Sequence, residues 1–403
     1  MAKGVGFSTQ EKELDRLSKL KFVAEEIPTS EYHDRISKAC QLMKEQNVDV
    51  TYLHAGTNLY YFTGMKWGQS ERMVGAILTQ SGDLHFIAPK FEEGTVKDFM
   101  VIKGDIHCWE EHESPFALFI DMISNHIQSV RTVGIDEICP FFVTNGIQLE
   151  NTTFKFINAK PITAGCRMRK SVNEIAIIQT AMDLTMEVQK SVGAILHEGI
   201  TSQEICAFTD KAHRVCGAPS GSYFCIALFG VDSSFPHGVK QPKPLAKNDV
   251  VLIDTGCQLN GYISDITRTY VFGEATDEVK QIWSYEQEIQ QIAMEQTKVG
   301  APCEAIDIAV REGLVKRNLG PDYKLPGTSH RTGHGIGLDI HEWPYFVKYE
   351  KTLLASGMTF SIEPMICVPE KFGIRLEDHV YMGDSEGIWF TKPSESIQNP
   401  FNY

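Results

Sequence analysis

One segment of the chain reads Val250-Val-Leu-Ile-Asp254-Thr-Gly-Cys-Gln-Leu-Asn260-Gly261-Tyr-Ile-Ser-Asp265-Ile-Thr-Arg-Thr-Tyr270. Asn260-Gly261, between two runs rich in Val, Ile, Thr and Tyr, predicts a β-hairpin. With a two-residue turn Asp254 opposes Thr267, and with a four-residue loop it opposes Asp265. Either register places both aspartates on one face, because side chains alternate along a strand. Two carboxylates this close repel each other unless a cation lies between them.

Two further carboxylates stand in apolar segments nearer the C-terminus. Glu363 lies in Phe-Ser-Ile-Glu-Pro, where the proline ends the strand ladder and leaves the carboxylate at the strand end. Glu377 lies in Ile-Arg-Leu-Glu-Asp-His-Val, and alternation places Arg375, Glu377 and His379 on one face. Acidic groups in such strands are unfavourable to bury unless they are paired or bind a metal. His379 is expected to be exposed and receives no role.

A glycine-rich segment, His330-Arg-Thr-Gly-His334-Gly-Ile-Gly-Leu-Asp-Ile-His341-Glu342, supplies imidazole groups. Its three glycines argue against a helix and predict a loop whose backbone approaches a site closely. The spacing fits neither the His-Glu-x-x-His zinc motif nor the dinucleotide-binding Gly-x-Gly-x-x-Gly motif.

Four carboxylates and one imidazole suit two divalent cations. The candidate ligands are Asp254, Asp265, His334, Glu363 and Glu377. Four negative charges balance two such ions and leave a position for a bridging hydroxide. Two metals about 3.5 Å apart lower the pKa of that water and polarise a carbonyl group.

These residues resemble the ligands of the pita-bread metallopeptidases, the family of methionine aminopeptidase, aminopeptidase P, prolidase and creatinase. Their order, spacing and flanking residues agree, including Arg167-Met-Arg-Lys-Ser-x-x-Glu-Ile upstream. The resemblance covers the whole chain. It implies an N-terminal creatinase-like α/β domain over residues 1–163 and a C-terminal pita-bread catalytic domain of α+β class over residues 164–403.

The pattern of the sequence independently favours this organisation. The first 160 residues alternate helix and strand signals, which predicts an α/β domain with a mixed sheet. Ser171-x-x-Glu174 and Thr201-x-x-Glu204 are capping boxes that predict two helices after the boundary. The strand and helix signals that follow predict helices covering one face of a curved antiparallel sheet.

The resemblance implies a role for each ligand. Asp254 would bind one cation, and His334 with Glu363 would bind the other. Asp265 and Glu377 would bridge both cations. Glu363 would also shuttle a proton for the attacking hydroxide.

The family also has outer residues that match positions in this chain. His237, His330 and His341 would stabilise the tetrahedral intermediate and hold the proline side and carboxylate of the substrate. Tyr223 would hydrogen-bond the network on the metal side, and Arg375 would orient the acidic cluster. Packing or ordinary loop positions remain the alternatives for these outer residues.

The activity implied by the resemblance is hydrolysis of the Xaa-Pro bond of dipeptides by a metal-bridging hydroxide. Manganese is the expected ion, although zinc, cobalt or iron fit the same ligands. A homodimer is the family expectation. One feature departs from the family, because many prolidases bind the substrate carboxylate with an arginine shortly before the Ile-Glu-Pro glutamate. Between Trp343 and Phe360 this chain has only Lys348 and Lys351.

Alternative functions therefore stay open. Aminopeptidase P would act on longer Xaa-Pro-Yaa peptides, and a creatinase-like enzyme would hydrolyse or eliminate across a non-peptide C–N bond. A peptidase-like binding module, as in some histone chaperones, is the alternative outside enzymology. Creatinase-like relatives and such modules have lost metal ligands, whereas all five positions are filled here.

Composition limits the partners and the location. The 403 residues carry a formal net charge of −14, which argues against binding to nucleic acid or to an anionic membrane. We find no apolar run long enough to span a bilayer and no secretory signal in the charged N-terminal segment. The ten cysteines form no Cys-x-x-Cys pair, so buried thiols in a reducing cytoplasm are expected.

Overall fold

The computed structural model describes residues 2–127, 129–150 and 153–403. The chain divides into two compact units, one formed by Ile27–Arg167 and the other by the segment up to Glu26 together with Met168–Tyr403. This division differs from the predicted one, which gave residues 1–163 to the N-terminal domain. The first 26 residues belong to the C-terminal unit because they pack against its helices and bond to its backbone.

The N-terminal segment contributes one helix, α1 (Gln10–Ser18), whose buried side includes Leu17. Leu17 is 0% exposed. Arg16 Nη1 donates to Glu187 Oε2 at 2.6 Å, and the backbone N–H of Phe7 donates to the Ala194 carbonyl at 3.0 Å. These contacts join the segment to the helix Val172–Ile195 of the same unit.

The unit Ile27–Arg167 is an α/β domain built on a six-stranded mixed sheet, as predicted. Its strands are β1 (Val50–His54), β2 (Gly75–Thr79), β3 (Leu84–Pro89), β4 (Asp105–Trp109), β5 (Thr132–Ile135) and β6 (Lys155–Asn158). Its α-helices are α2 (Thr29–Glu45), α3 (Thr57–Thr63), α4 (Glu93–Phe99), α5 (Pro115–Asp121), α6 (Phe141–Glu150) and α7 (Lys160–Arg167). The strand order is β4-β3-β2-β1-β5-β6, so β4 is an edge strand.

The C-terminal unit combines long helices with short antiparallel strands. Its helices are α8 (Val172–Ile195), α9 (Ser202–Cys216), α10 (Asp277–Glu295) and α11 (Glu304–Val315). Its strands are β7 (Ser222–Phe229), β8 (Val250–Leu259), β9 (Tyr262–Ile263), β10 (Ile266–Val271), β11 (Gly333–Gly335), β12 (Glu342–Phe346), β13 (Thr359–Ile362), β14 (Met365–Val368), β15 (Phe372–Arg375), β16 (Asp378–Met382) and β17 (Gly387–Trp389). Both predicted capping boxes open their helices, at α8 and α9.

The hairpin from β8 through β10 adopts the two-residue turn, which settles its register. Leu259 pairs with Tyr262 and Asp254 pairs with Thr267. Asn260 has φ 47° and Gly261 has φ 92°, the left-handed conformations that an Asn-Gly turn accommodates. The four-residue alternative, in which Asp254 would oppose Asp265, is excluded.

The glycine-rich segment is not a loop throughout, because its residues 333–335 form strand β11 between β12 and β13. A Cβ on Gly333 would lie 2.1 Å from the Ser361 carbonyl oxygen, and one on Gly335 would lie 2.6 Å from the Glu342 carbonyl oxygen. The glycines therefore allow close strand packing. The prediction of a loop was wrong here, but the close backbone approach that it anticipated is present.

Helices α10 and α11 cover one face of the sheets and form a hydrophobic core with them. Trp283 on α10 is 3% exposed, and its Nε1 donates to the Thr269 carbonyl at 2.9 Å. Phe346 and Phe360 stack under the helices with ring centroids 4.3 Å apart. Within the described ranges, no helix combines the length and apolar character that crossing a bilayer requires.

We predict that Leu17→Ala destabilises the C-terminal unit by about 2–5 kcal/mol, because it removes buried methyl groups and leaves a cavity. Lys12→Ala on the exposed side of α1 is the control and should change stability by less than about 0.5 kcal/mol. Thermal unfolding followed by circular dichroism measures both. If Leu17→Ala lowered the stability as little as Lys12→Ala does, the N-terminal segment would not contribute to the stability of this unit.

Candidate active site

Strands and strand ends of the C-terminal unit supply all five predicted metal ligands. Asp254 lies within β8, and Asp265 immediately precedes β10. His334 is the central residue of β11. Glu363 follows β13, and Glu377 precedes β16. Three of the four acids therefore lie just outside a strand, where they can converge without interrupting the backbone hydrogen bonds of the sheets.

His334 connects the carboxylates of this cluster. Its Nε2 lies 3.2 Å from Glu363 Oε1 and 3.7 Å from Asp265 Oδ2. Its other ring nitrogen, Nδ1, lies 3.0 Å from the Gly335 carbonyl oxygen. When a cation is bound, donation of Nδ1–H to that carbonyl would leave the Nε2 lone pair free to coordinate it.

Arg375 and Thr267 hold the acids of the cluster in place through ion pairs and hydrogen bonds. The Arg375 guanidinium forms an ion pair with Asp254, and its Nε lies 3.8 Å from Glu377 Oε2. Thr267 Oγ1 accepts from Arg375 Nε at 2.9 Å and donates to Glu377 Oε2 at 2.6 Å. No role in the site was predicted for Thr267 from the sequence, although its place opposite Asp254 in the two-residue-turn register puts it next to the cluster.

Mutual repulsion and burial shape the protonation of the acids. Burial raises the pKa of Asp265 well above its usual range, and the charges of Glu377 and Asp254 raise it further. Burial likewise raises the pKa of Glu377, with a further increase from Glu363. The pKa of Asp254 is raised by burial, although the Arg375 guanidinium opposes part of that shift.

Glu363 differs from the other acids. Burial alone would raise its pKa, but the charge interaction and hydrogen bond with His334, together with the charge of Arg375, hold that pKa well below the usual range. Burial also opposes the charge on Arg375, whereas Asp254 and Glu377 favour it and leave the pKa of Arg375 raised. Glu363 and Arg375 thus stay ionised at neutral pH, next to acids that favour protonation.

The buried donor set fits divalent cations. Asp254 Oδ1, Asp265 Oδ1 and Glu377 Oε1 are buried and have no hydrogen-bond partner in the described part of the chain. The ligand atoms of Asp265, His334, Glu377 and His379 all lie within 4.8 Å of one another. Unpaired carboxylate oxygens that converge with an imidazole are the arrangement that metal ions satisfy.

His379 corrects the sequence-based expectation, which placed it at the surface. It is 0% exposed and belongs to the cluster. Its ring centroid lies 6.0 Å from that of His334, and neither of its ring nitrogens has a hydrogen-bond partner among the described residues. Burial lowers the pKa of His379 to about 3, and so the ring is neutral. Alternation identified its face, but only the neighbouring strands determine that this face is covered.

A cleft of about 470 Å³ opens in front of the acids. It is lined by Pro236, His237, His330, Arg331, His341, Glu363 and Arg375. The outer histidines predicted from the sequence and Arg375 therefore meet around one space. Tyr223 lies on β7, is 49% exposed and is not among the residues that line this cleft. Partial burial raises the pKa of its hydroxyl, and the charge of Asp339 raises it further.

Two of the cleft histidines are poised as neutral rings. Burial and the neighbouring His334 lower the pKa of His341 to about 4, and the two ring centroids lie 4.1 Å apart. Burial also lowers the pKa of His330, whose Nδ1 lies 2.7 Å from the Arg331 carbonyl oxygen. A neutral His341 can donate one hydrogen bond into the cleft without adding charge, whereas a neutral His330 donates its single N–H to the Arg331 carbonyl and presents Nε2 as an acceptor.

Arg331 is the cleft residue that sequence reasoning missed, although it stands beside His330 in the quoted segment. Its guanidinium carbon lies 4.2 Å from the centroid of the Tyr345 ring, a cation–π contact. Within the described ranges, no carboxylate lies at ion-pair distance from it. Arg331 is therefore a cation at the cleft whose charge no acid among the described residues neutralises.

Comparison with known proteins agrees with this architecture. Residues 176–384 match metallopeptidase family M24, and residues 35–169 match the creatinase/prolidase N-terminal domain. The chain is 28% identical over 366 residues to the Xaa-Pro dipeptidase of Pyrococcus furiosus, covering 90% of this chain and 99% of that protein. It is 29% identical over 361 residues to the putative dipeptidase YkvY of Bacillus subtilis, covering 89% of this chain and 98% of that protein.

A solved structure resembles most of the chain as well. The recombinant prolidase from Thermococcus sibiricus superposes with a TM-score of 0.81 at 30% sequence identity, covering 90% of this chain and 97% of that one. The family and the fold class predicted from the sequence are confirmed. The chain belongs to metallopeptidase family M24, with a creatinase/prolidase N-terminal domain, and is a peptidase.

Proposed function

We propose that this peptidase is an Xaa-Pro dipeptidase that holds two divalent cations between Asp254, Asp265, His334, Glu363 and Glu377. The observation that carries the proposal is a buried cluster of acids with unpaired oxygens, which opens into a cleft containing Arg331, a cation that no acid in the described part of the chain neutralises. The names of the similar prolidase and Xaa-Pro dipeptidase support the same substrate class.

The acids and His334 define where bond cleavage occurs. When bound, two divalent ions would lower the pKa of a water molecule and polarise the scissile carbonyl. Glu363 lines the cleft and stays ionised, so it can accept the proton of the attacking water and later deliver it to the departing proline nitrogen. Contact with His334 Nε2, 3.2 Å away, orients the Glu363 carboxylate for this role.

The cleft histidines would bind the peptide around the scissile bond. His237 and His341 line the cleft and can donate hydrogen bonds to the carbonyl oxygen as negative charge develops on it. His330 would contact the proline side of the substrate. Because proline has no N–H to offer, recognition of that residue must come from shape and from its carbonyl or carboxylate oxygens.

Arg331 supports a dipeptide as the substrate. A dipeptide places a free carboxylate one residue after the scissile bond, and a guanidinium binds a carboxylate through two parallel hydrogen bonds. Arg331 would thereby replace the arginine that is missing between Trp343 and Phe360. Tyr345 stabilises its guanidinium without neutralising it.

We predict that Asp265→Asn abolishes binding of both cations, because this residue would bridge them. Manganese, the ion we propose for the native site, would be measured by mass spectrometry after dialysis, and circular dichroism would report the fold. Asp210→Asn is the control, since Asp210 lies on α9 of the same unit and pairs with Arg214 away from the cluster. Full metal content in Asp265→Asn would refute the bridging role.

We predict that the manganese-loaded protein hydrolyses Ala-Pro much faster than Ala-Pro-Ala or Ala-Ala, measured at one enzyme concentration. A preference for Ala-Pro-Ala would instead identify an aminopeptidase P activity. Failure to cleave any of the three while metal is bound would point to a non-peptide substrate.

We predict that Arg331→Met lowers kcat/KM for Ala-Pro roughly 10- to 100-fold, since it removes charge-assisted hydrogen bonds to the substrate carboxylate. Ala-Pro amide has no carboxylate, so its kcat/KM should change less than about threefold in the same variant. Lys348→Met is the matched control, because Lys348 does not line the cleft. Equal losses on both substrates would mean that Arg331 supports the cleft rather than the carboxylate.

A further inference from the structure

A second group of metal-binding side chains lies in the N-terminal unit, on adjacent strands of its sheet. In the parallel pairing of β3 with β4, His85 is the partner of Asp105 and Ile87 is the partner of His107. Residues two apart on a strand share a face, so both histidines and the aspartate point to the same side of the sheet. Their ligand atoms all lie within 4.8 Å of one another.

These side chains are close, but His85 and Asp105 do not form a hydrogen bond, and ring nitrogens of both histidines lack a partner among the described residues. His85 Nδ1 lies 3.9 Å from Asp105 Oδ2, which is too long for a hydrogen bond. His85 Nδ1 and His107 Nε2 are both buried and have no hydrogen-bond partner in the part of the chain that the structure describes. A buried ring nitrogen without a hydrogen-bond partner raises the free energy of the folded protein, so a bound group that contacts these nitrogens would be held favourably.

A π-helical turn places a third histidine beside the group. The turn Met122–His126 follows α5, and Met122 and Ile123 bury their side chains in the core of this unit. The His126 ring centroid lies 6.2 Å from that of His107, while its Nε2 lies 3.4 Å from Asp121 Oδ2. π-helical turns are uncommon and are often found at functional sites.

We propose that His85, Asp105 and His107 form a binding site for one borderline divalent cation of the Zn²⁺ class, separate from the catalytic cluster. Two imidazoles and one carboxylate match the ligand preference of Zn²⁺, and Ni²⁺ or Cu²⁺ would compete for the same donors. Donor atoms bound to Zn²⁺ at about 2.0–2.1 Å lie roughly 3.4 Å apart in a tetrahedron, so small side-chain rotations close the observed 3.9 Å gap.

The position of the site indicates what the ion would do. The side chain of Asp105 is 80% exposed and that of His126 is 56% exposed, which leaves the fourth coordination position open to water or to His126. The ion would join the edge strand β4 to β3 and, through His126, to the π-helical turn. Edge strands with unpaired backbone groups are the least protected part of a sheet, so such a link would stabilise this margin of the domain.

Zinc stoichiometry tests the proposal on the metal-stripped full-length chain. After dialysis against excess free Zn²⁺ at pH 8, His85→Gln and His107→Gln should each retain one Zn²⁺ fewer per chain than the unaltered protein. His33→Gln is the control, because His33 is an exposed residue of α2 outside the group. The catalytic ligands are intact in all four proteins, so their contribution cancels in the comparison.

Hydrogen exchange gives a local measure that the catalytic cluster does not influence. Zn²⁺ should slow amide exchange in peptides covering 105–109 and 122–126 several-fold in the unaltered protein and in His33→Gln, but not in His107→Gln. Equal zinc content in all four proteins would overturn the proposal. Zinc-independent exchange of both peptides would overturn it as well, even if the catalytic cluster binds its ions as proposed above.

Discussion

Repulsion among buried acids is the constraint on which the rest of the catalytic unit depends. Asp254, Asp265, Glu363 and Glu377 converge with one permanent cation, Arg375, which forms ion pairs with Asp254 and, at 3.8 Å, with Glu377. The raised pKa values of Asp265 and Glu377 express this imbalance, because burial and neighbouring charge both disfavour ionisation. A fold can retain such a cluster only if its backbone holds the acids in place and something else neutralises them.

The backbone meets the first of these requirements through cross-connections between sheets. Thr267 and Glu377 form an isolated antiparallel bridge between the hairpin and the strands near the C-terminus. Arg268 reinforces it, since its Nη1 donates to the Glu377 carbonyl at 3.1 Å and its Nη2 lies 2.7 Å from Asp378 Oδ1. Arg268 and Asp378 are both 0% exposed. Loss of either partner would leave a buried charge beside Glu377, so the ion pair fixes Glu377 indirectly.

A similar support lies beneath the rim of the cleft. Arg311 Nη1 donates to the Thr328 carbonyl at 2.6 Å, and its Nη2 donates to the His330 carbonyl. Asp307 accepts from Thr332 Oγ1 at 2.7 Å and pairs with Arg311. Helix α11 thereby holds the residues on both sides of Arg331 in place, and the Tyr345 ring supports its guanidinium.

The sequence was sufficient for those parts of the site that follow from local rules. Asn260-Gly261 and strand alternation place Asp254 and Asp265 on one face in either register, although only the structure selects the two-residue turn. His379 shows the limit, because alternation states which face a residue occupies but not what covers that face. The packing of the first 26 residues, marked by buried Leu17, likewise depends on a partner surface that no local pattern describes.

The two arginines of the cleft differ in what neutralises them, and this difference separates their roles. Arg375 is enclosed by acids that neutralise its charge. An incoming carboxylate would therefore meet a guanidinium that is already paired. Arg331 instead rests on the Tyr345 ring, which attracts a guanidinium through its π electrons and cancels none of its net charge. An acid in place of Tyr345 would hold the guanidinium more firmly but would remove the attraction for an anionic substrate. Aromatic support thus keeps a cation both ordered and available, which is the combination that recognition of a free carboxylate requires.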